Sequence, residues 1–169
     1  YGLSAPVNAG IVALAARGRL SALSCMASAP GWPEAAAALA ALPARASVGL
    51  HVNLTEGRFL SAPRAMLSPA RLLAASMMHR LPLAFLAREI HAQWDAFERA
   101  RGRAPDFVDS HQHVHVLAPV RVALLRVVRA RGAPVAVRSL HPAFGPADAR
   151  AKLEVIRLLG SDLDGPDIA

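Results

Sequence analysis

Pro105-Asp106-Phe107-Val108-Asp109-Ser110-His111-Gln112-His113-Val114-His115-Val116 is the stretch on which the reading of the fold turns. Aromatic and β-branched residues behind Pro105 read as a strand from Phe107 to Val116. Pro119 then opens a helix, with Val120, Leu124, Val127 and Val128 at inward spacing and Gly132 as its stop. The pair is one β–α unit. A further strand at Val135 to Leu140 and a helix at Pro146 to Gly160 continue the pattern downstream.

Upstream the same alternation recurs. Ser4 and Pro6 open a helix in which Val7, Ile11 and Leu14 repeat at helical spacing, and Gly18 closes it. Strands are expected at Leu20 to Ala27 and Ser47 to Leu54, with an Ala-rich helix at Pro33 to Leu42 between them. A loop from Thr55 to Leu67 leads to a helix at Ser68 to Met78. The clearest helix begins at Pro82: Leu83, Leu86, Ile90, Trp94 and Phe97 share one face, and Gly102 ends it. Strands alternating with helices define an α/β protein of parallel βα units, as an open sheet or a barrel. The chain opens on Tyr1, on the loop before its first helix, so a first strand is expected further upstream.

Composition bounds the function. The 169 residues suit a single domain of ordinary size, 1–169, and a 54% hydrophobic content supplies a core. The net charge of +7 comes from Arg residues scattered singly, such as Arg17, Arg64, Arg88 and Arg121. No basic run is interleaved with aromatics, so solvated helix faces explain the charge better than nucleic acid does. The single cysteine, Cys25, excludes an internal disulfide and reads as a small buried hydrophobe. No apolar run is long enough to span a membrane, and no secretory signal is visible, which makes a cytoplasmic enzyme the default expectation. A homo-oligomer stays open.

Two segments carry chemistry. In a strand alternate residues share a face, so Asp109, His111, His113 and His115 are expected to line one side. Three imidazoles and a carboxylate are costly to bury as packing, and suit a metal site or catalysis better than a hydrated patch. In the second segment, Gly49 to Gly57, His51 and Asn53 share a face. Ligands from two strands can converge at the carboxyl end of a parallel sheet. Glu56 reads as a turn carboxylate or a base beside that site. Arg138 is placed either to bind an anionic group or to form a salt bridge. His79 and His91 read as surface or boundary residues. A Gly-rich phosphate loop, a Gly-x-Ser-x-Gly elbow and a His-Glu-x-x-His helix are all missing from the sequence.

Three blocks together resemble the YdjC-like carbohydrate deacetylases: Tyr1-Gly2-Leu3-Ser4 with Asn8 and Gly10, Val48 to Gly57, and Phe107 to His115. The resemblance runs from Tyr1 to about Arg138 and fits less clearly after His141. It implies a distorted (β/α) barrel, incomplete in this chain, and hydrolysis of the acetyl group of an N-acetylated amino sugar. It also implies a divalent metal, Mg²⁺ or Zn²⁺, held by one Asp and two His. Carried onto this chain, the two are His51 and His111; spacing alone does not choose His111 over His113 or His115. His113, His115, Asp109 and Arg138 then become supporting or substrate-facing groups. The family carries an Asp pair directly before its Tyr/Phe-Gly-Leu-Ser segment, one a ligand and the other the base, so both are expected upstream of Tyr1. Two rivals remain: another metal hydrolase using the His113-x-His115 pair, and a remnant that binds sugar or metal without turnover.

Overall fold

Four strands, β1 (Ala22–Cys25), β2 (Ser47–Val52), β3 (Phe107–Ser110) and β4 (Ala136–Val137), pair in parallel and lie side by side in chain order. The computed structural model describes residues 1–42 and 46–138. Helices make the crossovers that parallel pairing requires: α1 (Ala5–Ala16) precedes β1, α2 (Trp32–Ala38) follows it, α3 (Pro69–Met77) and α4 (Leu83–Arg101) join β2 to β3, and α5 (Ala118–Arg131) joins β3 to β4.

The register separates the two faces of the sheet. Cys25 pairs with Leu50, Leu50 with Val108 and Val108 with Val137. With Leu23, Val48 and Val52 this row faces the helices and forms the core. Leu86, Ile90, Trp94 and Phe97 of α4 and Val120, Leu124 and Val127 of α5 pack into the same core, as the helical spacing predicts. Trp32 of α2 stacks on Phe97 with ring centroids 5.6 Å apart. Each such side chain contributes about 1.5–3 kcal/mol by leaving water. Arg131 ties α5 to α4 through Asp95 (2.6 Å) and the His91 carbonyl (3.2 Å).

The opposite face carries Ser24, Gly49, His51, Phe107, Asp109 and Arg138, by the same alternation. Gly49 leaves room there for the Phe107 ring. A Cβ at this position would stand 2.4 Å from the Phe107 ring, which lies across the glycine.

The main departure from the sequence reading is at β3. The strand expected to run to Val116 stops at Ser110, and His111–Val116 form 3₁₀ turns instead. Gln112 and His113 take left-handed backbone angles, φ +52° and +57°, at a cost of about 1–2 kcal/mol each. Ser110 offsets part of this: its Oγ accepts from the His115 N–H at 3.0 Å and bonds the His115 ring at Nδ1. A side chain that satisfies local backbone competes with the ladder. The alternation of Asp109, His111, His113 and His115 on one face therefore fails.

Smaller differences have similar causes. The strand expected at Leu20 to Ala27 is confined to Ala22–Cys25. The one expected to reach Leu54 ends at Val52, where Asn53 begins to bond the turn through its side chain. The helix at α1 forms, but Val7 and Leu14 are each 45% exposed, so their spacing marks no buried stripe within the described residues. Residues 139 and 140 of the fourth strand, His141 and the helix at Pro146 to Gly160 lie outside the described residues.

Candidate active site

Ser24, His51 and Asp109 are each the penultimate residue of their strand, so three polar side chains meet near the carboxyl end of the sheet. His51 and Asp109 are direct register partners. His51 Nδ1 lies 2.7 Å from Asp109 Oδ1, and Ser24 Oγ lies 3.2 Å from His51 Nδ1 and donates to Asp109 Oδ2 at 3.3 Å. An ionised carboxylate only accepts, so Nδ1 carries the proton and Nε2 is left with the lone pair in the neutral ring. Burial pushes the Asp109 carboxyl up, but the bond and charge of His51, the Ser24 hydroxyl and Arg138 together outweigh it and hold Asp109 below its ordinary value.

His111, the first residue past β3, meets His51 edge to face with ring centroids 5.5 Å apart. Its Nε2 lies 3.1 Å from Glu56 Oε2. That contact falls outside hydrogen-bond geometry, and His111 Nε2 is a buried nitrogen without a hydrogen-bond partner among the described residues. Burial first, and the neighbouring His51 charge second, push the His111 ring below its ordinary value against the pull of Glu56. The neutral form of the ring, which offers a lone pair, is favoured by these two causes.

Arg138 follows β4 opposite Asp109. Its backbone N–H donates to the Val108 carbonyl at 2.9 Å, and its Nη1 lies 3.6 Å from Asp109 Oδ2. Its side chain is 55% exposed, so the pair adds little stability and leaves the guanidinium reachable from solvent.

His113 and His115 do not continue the row of Asp109, because the chain turns after Ser110. Ser110, in register with Val52, points to the helix side, and His115 follows it there, 1% exposed. His113 packs edge to face on His115 with centroids 6.4 Å apart. Burial and the neighbouring His113 lower the His115 ring to about 4. Ser24 is a residue of the site that the sequence does not single out; its one signal is its place near the end of an apolar strand. Glu56, which reads from sequence as a turn carboxylate or a base, lies beside His111 by a loop path that no spacing encodes.

A ligating nitrogen is best aimed by a second group, as Asp109 aims His51, and His111 Nε2, 3.1 Å from Glu56 Oε2, is a second imidazole nitrogen beside it. These two residues fit a mixed metal site. Among the described residues no group of three His, Cys, Asp or Glu side chains is arranged to hold an ion.

Fold and site together define a parallel α/β protein with a histidine–carboxylate centre at its strand ends. The YdjC-like protein family matches residues 1–163, and the chain belongs to that family. It is 31% identical over 145 residues to a chitooligosaccharide deacetylase of Proteus mirabilis, covering 83% of this chain and 56% of that protein. It is 37% identical over 111 residues to a carbohydrate deacetylase of Mus musculus, covering 58% of this chain and 36% of that one. The chain thus spans about half the length of the bacterial relative. Among solved structures, a candidate cellobiose-phosphate cleavage protein from Enterococcus faecalis superposes with a TM-score of 0.66 at 20% identity, over 92% of this chain and 60% of that one. This likeness supports the fold. Among the described residues no helix is long and apolar enough to cross a membrane.

Proposed function

We propose that the protein to which this chain belongs removes the acetyl group from an N-acetylated amino sugar or oligosaccharide, with a divalent metal held in part by His51 and His111. The observation that carries the reading is the pairing of an Asp109-oriented His51 with His111 at the ends of adjacent parallel strands. The names of the relatives supply the substrate class. When bound, Mg²⁺ or Zn²⁺ would polarise the amide carbonyl and acidify a water; oxygen and imidazole donors suit either ion.

The chain's own residues have separable tasks. Asp109 and Ser24 fix the tautomer of His51. Glu56 stands where it can take a hydrogen bond or a proton beside His111. Arg138 offers a donor for negative charge developing on the substrate oxygen. Tyr1 N donates to the Ser24 carbonyl at 2.8 Å and the Tyr1 carbonyl accepts from Met26 N at 2.9 Å, which seats Tyr1 beside β1.

The test is acetate release from N-acetylglucosamine oligomers by the whole protein, before and after chelation and after return of Mg²⁺ or Zn²⁺. Release that stops on chelation and returns with metal supports the proposal. Sugar binding without acetate release would favour the remnant reading instead.

A further inference from the structure

Glu89 and Gln93 are a carboxylate and an amide on α4, both 0% exposed, in the middle of an otherwise apolar helix face. Buried polar groups of this kind are costly unless every bond is made. Here they are made to the two ends of one loop. Gln93 Oε1 accepts from the Asn53 N–H at 2.9 Å, and Gln93 Nε2 donates to the Asn53 carbonyl at 2.6 Å. The side-chain amide thus bonds both backbone groups of Asn53, as a neighbouring strand would, at the point where β2 ends. Glu89 Oε1 accepts from Gln93 Nε2 at 2.8 Å and from Leu60 N at 3.1 Å, and Glu89 Oε2 accepts from Ser61 N at 2.8 Å.

Between these two anchors lies the turn that carries Glu56. The Asn53 side chain completes it: Oδ1 accepts from Thr55 N and Glu56 N at 3.1 Å each, and Nδ2 donates to the Glu56 carbonyl at 2.7 Å and to Ser28 Oγ at 3.0 Å. The backbone of Glu56 is therefore held at both its N–H and its carbonyl, while its carboxylate reaches out to His111.

We propose that Glu89 and Gln93 are positioning residues of the site: they fix Asn53 and the 53–61 loop, and through them the placement of Glu56 against His111. This rests on the deacetylase reading for its catalytic consequence, but not for its geometry. Substituting Glu89→Gln replaces an acceptor oxygen by an NH₂ that faces the Leu60 or Ser61 N–H, so one loop anchor is lost without a change in volume.

The experiment compares the whole protein with its Glu89→Gln and Glu89→Asp variants in two arms. In the first, nitrogen NMR reads the His111 and His115 rings and the amides of residues 55–61. Glu89→Gln is expected to shift the Glu56 amide and the His111 ring while leaving the His115 ring in place, and Glu89→Asp to restore part of the shift. In the second, acetate release from N,N′-diacetylchitobiose is expected to show kcat reduced about tenfold with KM little changed, as for a displaced group that acts on the reaction. Changes confined to the Leu60 and Ser61 amides, with the His111 ring and kcat as in the wild type, would overturn the proposal. A wild-type protein that releases no acetate would defeat the deacetylase reading while the NMR arm still decides the positioning. Should Glu89→Gln not fold, hydrogen exchange of the wild type decides: Asn53, Leu60 and Ser61 amides protected like that of Leu50 support the anchor, and free exchange contradicts it.

Discussion

His51 Nδ1 and Asp109 Oδ1 stand 2.7 Å apart across register-paired positions of two parallel strands. The bond fixes which nitrogen of His51 faces away from Asp109, and it links β2 to β3 through side chains as well as through the ladder. Asp109→Asn preserves shape but removes the negative charge behind His51 and one of the two acceptor oxygens that meet His51 Nδ1 and Ser24 Oγ. The substitution is expected to weaken divalent metal binding by about 10–100-fold, the usual effect of losing a carboxylate behind a ligating histidine. Titration calorimetry of the whole protein measures it; an unchanged affinity would remove Asp109 from the site.

Cys25 is 0% exposed, and burial pushes its thiol up to about 12. A thiolate is the reactive form. The native protein is therefore expected to resist an aromatic disulfide reagent at pH 8 and to react with one equivalent per chain once unfolded in guanidinium. Rapid reaction of the native protein would contradict the packing of β1.

His115 makes stability depend on pH. Its folded value of about 4 lies below the ordinary 6.5, so the unfolded chain takes up the proton first. The contribution is fully present above pH 6.5 and is lost as pH falls from there towards 4. Its size is on the order of 3 kcal/mol. Denaturant unfolding of the wild type and His115→Gln at pH 7.5 and pH 5 is the check. The wild type should lose more stability over that interval than the variant, and parallel losses would place the titration elsewhere.

Gly49→Ala is expected to destabilise the chain by about 1–3 kcal/mol, since the new methyl would meet the Phe107 ring at 2.4 Å. Combined with Phe107→Leu, the loss should be smaller than the sum of the two single losses, because both changes act on one contact. Additive losses in urea unfolding would show that Phe107 does not rest on Gly49.

Much of this architecture was legible in sequence. Alternating strand and helix signals, with Pro82, Pro119, Gly102 and Gly132 as punctuation, anticipated parallel βα units and the core faces of α4 and α5, while the order of the strands came only from the structure. Period-two reasoning failed after Ser110, because a serine hydroxyl bonding His115 outweighed the strand pattern and the chain turned through left-handed Gln112 and His113. His51 was recognisable by its place in an apolar strand. Spacing does not choose among His111, His113 and His115; the turn after Ser110 is what sets His111, beside His51, apart from the other two. Ser24 and the Glu89–Gln93 pair act through contacts 27 to 85 and 28 to 40 residues away in sequence, which no local pattern records.

The most direct test of the central claim is a comparison of His51→Ala, His111→Ala and His113→Ala in the whole protein, reading bound metal and acetate release from N-acetylglucosamine oligomers. Loss of both in His51→Ala and His111→Ala, with His113→Ala retaining metal, is the predicted result. Metal retained in His51→Ala and lost in His113→Ala would contradict it and move the site to the His113-x-His115 pair.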